Sequence, residues 1–273
     1  MHDGQRLGYI GHYAARDTAT AAAMLNHACE QLVSHGTLAI APIDGNTWNR
    51  YRLLTERGSE PAFFLEPDNP DDWPVHFTGN GFTPLANYYS AVNDDLTRSD
   101  PRTGELMCRL TEQGIRLRPL DMDRFEEELR SLCHLALSSF QRNFLYTPIA
   151  EEDFLSQYLP IHSYLRSELV LIAEKENQPV GFMLSVPDLL QARRGQVVDT
   201  VIIKTVAVHP DRASGGLGTL LVAHCQDEAN RLGYRRAIHA LMHEANNSRR
   251  ISGHTAKTIR RYTLFARPLG GRP

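Results

Sequence analysis

The chain lacks most of the features that mark secreted, membrane-bound or nucleic-acid-binding proteins. Its four cysteines form no closely spaced pair, which argues against a disulfide framework or structural zinc and predicts reduced thiols and no metal. The N-terminus has neither the basic start nor the apolar stretch of a signal peptide, and no window approaches the ~20 apolar residues of a membrane span. With 29 basic against 32 acidic residues, there is no surplus to neutralise nucleic-acid phosphates. We therefore expect a cytoplasmic protein with no nucleic-acid or membrane partner.

The sequence does have the length and composition of a globular protein with two units. Its 273 residues are 42% hydrophobic and 22% charged, close to the average of soluble domains. A polar stretch from Asn93 to about Gly114 interrupts the apolar pattern and contains the turn-forming pair Asp100-Pro101. We expect a domain boundary there. The prediction is a smaller N-terminal half-domain over residues 1–112 and a C-terminal domain over residues 113–273.

Hydrophobic periodicity predicts a fold of the α+β class, with a mixed α/β sheet and flanking helices. Helices alternate with strands only near the C-terminus, so we expect a central mixed sheet that is mostly antiparallel rather than a uniformly parallel one. Strands are expected over residues 7–15, 38–43, 62–67, 83–91, 115–120, 169–175, 179–186, 197–208, 235–242 and 259–269, and the main helices over residues 18–35, 122–141, 151–166 and 216–232.

The segment that carries chemistry is a glycine-rich turn between a β-branched strand and a helix. It reads Ser214-Gly-Gly-Leu-Gly-Thr219. The first amides of a helix have no internal partner, and glycines let them approach an anion without Cβ collisions. The residues after the last glycine are Thr219-Leu220, so the turn is not a P-loop, and the dinucleotide-binding pattern GxGxxG is absent. A phosphate or pyrophosphate is the expected ligand, although a plain strand-to-helix turn would use the same residues.

Val208-His-Pro210, followed by Gly216-Leu-Gly218, resembles motif A of the GNAT superfamily of N-acetyltransferases over about residues 115–269. The resemblance implies that this turn holds the pyrophosphate of acetyl-coenzyme A. Two departures put the affinity for coenzyme A in doubt, because Ala213 stands where the family has Gln or Arg and Ser214 where glycine is frequent. The cofactor-binding residues implied are Val206, Ala207, Val208, Arg212, Ala213, Ser214, Gly215, Gly216, Leu217, Gly218, Thr219, Asn246 and Asn247.

The resemblance also implies a mechanism. Two neighbouring strands, here residues 200–208 and 235–243, would splay apart and leave a slot for the thioester, whose carbonyl a main-chain amide around Val206–Val208 polarises. An amine attacks that carbonyl directly. The family's usual strand-borne glutamate is not evident, since this strand carries Lys204 and Thr205. The catalytic candidates are His243 or Glu244 as base, His254 as acid by its spacing from Asn247, and Tyr262 as fallback acid; each of them also has an ordinary interpretation as a surface or packed residue.

The expected activity is transfer of an acetyl group from acetyl-coenzyme A to the primary amine of a small molecule. The alternative is a catalytically silent protein that binds coenzyme A or serves as a scaffold or regulator, and an unrelated nucleotide-binding domain is a third interpretation. The N-terminal half resembles the degenerate, truncated copy found in some tandem GNAT proteins. A homodimer is left open.

Overall fold

The computed structural model describes residues 4–98, 101–211, 215–245 and 256–270, so the predicted site residues Arg212, Ala213, Ser214, Asn246, Asn247 and His254 lie outside the described residues. The described strands are β1 (Leu7–Tyr9), β2 (Leu38–Ala41), β3 (Leu53–Glu56), β4 (Thr83–Asn93), β5 (Ile115–Pro119), β6 (Val170–Lys175), β7 (Gln178–Pro187), β8 (Thr200–Val208), β9 (Arg236–His243) and β10 (Lys257–Pro268). The described α-helices are α1 (Thr18–Leu32), α2 (Trp73–Gly79), α3 (Arg102–Glu112), α4 (Phe125–Phe140), α5 (Glu151–Tyr158), α6 (Leu189–Arg193) and α7 (Leu217–Arg231).

The described strands join one sheet in the order β1-β2-β10-β4-β9-β8-β7-β6-β5, with β3 also paired to β10. Within the described residues, β1–β2 and β8–β9 are parallel pairs and the remaining strand pairs are antiparallel. The predicted mixed, mostly antiparallel sheet is therefore confirmed. Strand β4, which belongs to the predicted N-terminal half-domain, lies between β9 and β10. The sheet thus runs across the predicted boundary, and the division at residue 112 stays a prediction.

The central part of the sheet is covered by helices on both faces. On one face α7 packs its buried side chains, which include Leu220 and Leu221, against Val201 and Ile203 of β8. On the other face α4 and α5 pack against β6, β7 and Ala207. Cys225 of α7 is fully buried, with its Sγ 3.2 Å from Ser185 Oγ, and burial raises the pKa of its thiol to about 12. It is therefore a packed core residue.

Local sequence explains where several elements begin and end. Helix α1 starts after Asp17, whose side chain accepts a 2.7 Å hydrogen bond from the Thr20 amide as an N-cap. The hairpin predicted between β6 and β7 is confirmed: Glu176 and Asn177 have φ of +52° and +61°, the left-handed values that a tight two-residue hairpin turn requires. Pro160 lies just beyond α5, where the chain continues as a short 3-10 helix, Leu159–Tyr164.

The strand predicted over residues 62–67 was wrong, because this segment is a loop. Pro61 precedes this segment and Pro67 ends it, and neither proline has an N–H to donate to a neighbouring strand. Strand β10 already pairs with β3 and β4. Leu65 has a φ of +63°, which breaks extended geometry. The apolar residues of this segment instead include Phe63, which is 2% exposed and packs against the sheet.

Candidate active site

The central strands β8 and β9 run side by side only for the first part of their length. Their parallel pairing joins Thr200–Ile203 to Arg236–His239, and among the described residues of the two strands it extends no further. Yet β8 continues to Val208 and β9 to His243. The two strands therefore diverge and leave a wedge between them, which confirms the predicted splay.

Both walls of this wedge are irregular at the point of divergence. The register of β8 against β7 shifts between Leu184 and Ser185, which leaves Lys204 as an extra residue on β8. On the other wall the register of β9 against β4 shifts near Ser90, and Leu241 has a φ of +60°. Such bulges bend a strand and increase its twist, so the two walls turn away from each other.

A buried polar network holds the bulge of β9. The amide of Leu241 donates to Ser90 Oγ over 3.0 Å, and this hydroxyl lies 3.2 Å from the hydroxyl of Tyr262. Tyr262 donates to Glu66 Oε1 over 2.5 Å, and the Arg260 guanidinium pairs with the same carboxylate at 3.0 Å. The side chains of Glu66 and Arg260 are each 1% exposed. The network ties the loop of residues 57–72 to the second wall of the wedge.

The surroundings of Tyr262 do not suit a residue that donates a proton to the thiolate of coenzyme A. Its side chain is 0% exposed, its hydroxyl hydrogen is engaged by Glu66, and burial raises the pKa of the phenol. Burial also raises the pKa of the Glu66 carboxyl, against the opposing effects of Tyr262 and Arg260. The geometry therefore argues for a positioning role of Tyr262 and against the predicted role as acid.

Main-chain amides on β8 face the wedge at alternate residues. The His209 amide donates to Val180 of β7 over 2.8 Å, which fixes the alternation of an antiparallel pair. The amides of Ala207 and Thr205 then face β7, whereas those of Val208 and Val206 face the wedge. The Val208 amide donates to Ser139 Oγ of α4 over 3.0 Å. Within the predicted range Val206–Val208, the Val206 amide is the one best placed to polarise a carbonyl.

The glycine-rich turn ends in an uncapped helix terminus. Gly216 is the N-cap of α7 with a φ of +93°, and none of the described side chains caps the helix there. The first intrahelical bond runs from the Leu220 amide to the Gly216 carbonyl over 2.9 Å, so the amides of Leu217, Gly218 and Thr219 have no partner within the helix. These amides lie where the sequence predicts an anion cradle, which stays a prediction, and the preceding residues 212–214 lie outside the described ranges.

Helix α3 packs against this terminus, which the sequence did not predict. A Cβ at Gly216 would lie 2.8 Å from Leu106 Cδ1, so both its φ and its neighbour require glycine. Arg109 Nη2 donates to the Gly215 carbonyl over 2.7 Å and places a cation beside the cradle. Arg109 thus brings a basic group to this turn, whose sequence has Ala213 where the motif has Gln or Arg. The sequence alone could not indicate this position of Arg109, because it depends on the contact between α3 and the distant turn at Gly215.

The predicted base candidates end up in different environments. Glu244 Oε1 pairs with Arg261 Nη1 at 2.8 Å on the surface. His243 Nδ1 accepts the Ala245 amide over 3.0 Å, so a neutral ring carries its hydrogen on Nε2. That Nε2 is buried and has no hydrogen-bond partner in the described part of the chain. Burial, and then the nearby Arg52, lower the pKa of His243. His243 therefore presents an unpartnered N–H donor rather than a free base.

Lys204 is the basic group at the divergence of the strands, and the search of the sequence for a carboxylate missed it. Its Nζ lies 3.5 Å from the Leu65 carbonyl. The side chain is partly buried. Burial, and then the charge of Arg52, lower the pKa of Lys204 to about 8. A lysine of this kind supplies a neutral amine near physiological pH.

Comparison with known proteins identifies this arrangement. Residues 129–252 match the acetyltransferase (GNAT) family, a range that contains β8, β9, the start of α7 and most of α4. The chain thus contains a region of the GNAT family. It is 13% identical to a tandem GNAT protein from the clavulanic acid biosynthesis pathway, with a TM-score of 0.50 over 99% of this chain and 78% of the other, a likeness that concerns the fold alone.

Two curated relatives match this chain over only part of their own length. Protein YghO of Escherichia coli is 25% identical over 193 residues, which are 69% of this chain and 49% of that protein. The bacterial ceramide synthase of Caulobacter vibrioides is 21% identical over 192 residues, which are 70% of this chain and 50% of that protein. The chain thus spans about half the length of the curated relatives that it matches.

Proposed function

We propose that this GNAT protein is an N-acyltransferase that moves an acetyl group from acetyl-coenzyme A to a primary amine by direct attack. The observation that carries the proposal is the wedge between β8 and β9, which opens beside an uncapped helix terminus. A slot for an extended pantetheine arm and an anion cradle for a diphosphate are the two features that an acyl-coenzyme A donor needs.

The residues present fit that donor. The amides of Leu217, Gly218 and Thr219 would bind the pyrophosphate, and Arg109 would add a charge-assisted contact beside Gly215. The donor supplies an activated thioester. The Val206 amide would donate to the developing oxyanion, since it faces the wedge where β9 has turned away. The departures of the motif at Ala213 and Ser214 leave this backbone cradle intact.

We assign the proton of the attacking amine to Lys204. The amine nitrogen forms a bond to the thioester carbon while the carbon–sulfur bond breaks, and the thiolate takes a proton from solvent. The amine proton passes to the neutral amino group of Lys204, whose pKa of about 8 leaves a substantial neutral fraction at and above that pH. This role needs no carboxylate on β8.

The relatives give partial support. A ceramide is an amide of a long-chain amine, so the relative named bacterial ceramide synthase is consistent with amide formation. The acyl chain that this chain prefers is part of the proposal, as are a small-molecule acceptor and a cytoplasmic location. None of the helices in the described ranges is long and apolar enough to cross a bilayer.

Release of free thiol from acetyl-coenzyme A in the presence of a panel of primary amines tests the proposal. We expect turnover that depends on the amine and on Lys204. The alternative is a silent coenzyme A-binding, scaffold or regulatory protein, and it is favoured by one observation: Glu244, the carboxylate at the end of β9, is held by Arg261. Retained binding of coenzyme A without turnover on any amine or acyl donor would establish that alternative.

A further inference from the structure

Among the described residues, Arg52 is a buried cation without an acidic partner. It directly precedes β3 and is 7% exposed. Its guanidinium carbon lies 4.1 Å from the ring centres of both Tyr51 and Tyr88, and its Nη1 donates to the hydroxyl of Tyr51 over 2.9 Å. Its Nε has no partner, and no carboxylate pairs with it in the described ranges. The φ of Arg52 is +66°, an uncommon backbone conformation for this residue type.

Burying a permanent cation without a counter-ion is costly, and aromatic rings offset only part of that cost. The two rings fix the plane of the guanidinium but leave its charge uncompensated. An anionic group that binds to the free Nε edge would supply the missing partner, and the flat fork of arginine suits a carboxylate.

Two other cationic or hydrogen-bond-donating groups share this region. The ring of His243 lies 4.8 Å from that of Tyr88, at the end of β9, and its buried Nε2–H is also without a partner in the structure as described. Lys204 lies on the opposite wall. The charge of Arg52 contributes to the lowered pKa of both His243 and Lys204, so the three groups lie within electrostatic reach of one another.

The nearby acids are committed elsewhere. Glu66 pairs with Arg260, and Glu244 pairs with Arg261, which also contacts Glu56. On this side of the wedge, Arg52 Nε and His243 Nε2 are therefore left without an acceptor among the described residues.

We propose that the acceptor amine also carries a carboxylate, which binds to the free edge of Arg52 and to the Nε2–H of His243 and so directs the amine toward Lys204. The inference deepens the proposed function and rests on it for the identity of the amine. The substrate class is a small amino acid or another amine with a carboxylate a few bonds away. The N-terminal half then contributes to acceptor binding through Arg52, Tyr51 and Tyr88.

The test compares paired acceptors that differ only in charge, such as amino acids and their carboxamides, by initial rates of thiol release. The wild-type protein should prefer the acid of each pair by about 30-fold or more in kcat/KM, the scale of a charge-assisted contact. Arg52→Gln should remove this preference while coenzyme A affinity stays within about 2-fold, a sign that the fold is intact. Equal rates for acids and carboxamides in the wild type would overturn the inference.

A second variant guards against a folding defect in Arg52→Gln. His243→Asn keeps an acceptor for the Ala245 amide but removes the Nε2–H, so it should lower the ratio of kcat/KM for acids to that for carboxamides about 5-fold. If His243→Asn lowers both rates equally, the site does not read the carboxylate.

Calorimetric titration with the same amino acids needs no turnover and separates the inference from the proposed function. Binding that Arg52→Gln abolishes, without thiol release from any donor, would sink the acyltransferase proposal and keep the carboxylate site. Thiol release with carboxamides but no binding of amino acids would do the reverse.

Discussion

The two ends of the wedge are built from different kinds of groups. At the proposed donor end, consecutive main-chain amides of Leu217, Gly218 and Thr219 would form the cradle, so one short stretch of sequence specifies it. At the acceptor end, the walls are set by side chains from distant segments, such as Glu66 and Arg260, which are 194 residues apart. A donor site made of backbone tolerates changes in side chains, whereas an acceptor site made of side chains can change its specificity without altering the fold.

The largest expected effect comes from breaking the buried ion pair of Glu66 and Arg260 at the acceptor end of the wedge. Glu66→Ala leaves Arg260 buried without its acidic partner and should lower the free energy of unfolding by about 3–5 kcal/mol, measured by urea denaturation. Glu244→Ala is the matched control, because its ion pair with Arg261 is partly exposed and should contribute less than about 1 kcal/mol. Similar losses in the two variants would show that the buried pair does not hold this wall.

The next effect breaks the donor end. Gly216→Asp adds a side chain where φ is +93° and where a Cβ already meets Leu106, and it brings a carboxylate to the cradle. We expect the Kd for coenzyme A to rise about 100-fold, or about 3 kcal/mol, by calorimetry. Gly195→Asp is the control for backbone strain, since its φ is +72° in open space. An unchanged Kd in Gly216→Asp would place coenzyme A elsewhere.

Lys204 sharpens the comparison, because it acts on chemistry rather than on binding. A base must be neutral, so with a pKa of about 8 the rate should rise with pH and level off above that value. Lys204→Met should lower kcat about 100-fold and abolish this rise, while coenzyme A affinity is kept. Lys257→Met, which removes an exposed lysine paired with Asp94, should do neither. A pH profile that survives in Lys204→Met would assign the base to another group.

Tyr262 gives the smallest expected effect on activity. If it is a positioning residue, Tyr262→Phe should lower stability by about 1–2 kcal/mol, through loss of its hydrogen bonds to Glu66 and Ser90, and should change kcat only a few-fold. If Tyr262 instead donates the proton to the departing thiolate, kcat would fall about 100-fold or more. Steady-state rates and denaturation of the same variant separate the two roles.

The sequence was sufficient for whatever is local. Periodicity located most strands and helices, and the turn at Gly216 pointed to the fold, because helix starts and glycine-rich turns depend on adjacent residues. It did not reveal Arg109 beside the cradle or Arg52 beside the wedge, since each reaches its site from another part of the chain. The sequence also led to the wrong prediction of a strand over residues 62–67, where the apolar residues belong to a loop that contains Glu66.

The candidate base shows a second limit. The sequence has Lys204 on the strand where the family usually has a glutamate, and a lysine in water is protonated and cannot act as a base. Its environment, created by the divergence of β8 and β9 and by Arg52, is what makes a neutral amine available. Residue type alone could not show this, because the shift in pKa comes from tertiary contacts.

A crystal structure with coenzyme A bound tests the central claim most directly. The prediction is a pyrophosphate on the amides of Leu217–Thr219 and a pantetheine arm between β8 and β9, with its sulfur near the Val206 amide. A diphosphate bound away from the start of α7, or strands β8 and β9 closed against each other along their full length, would contradict it.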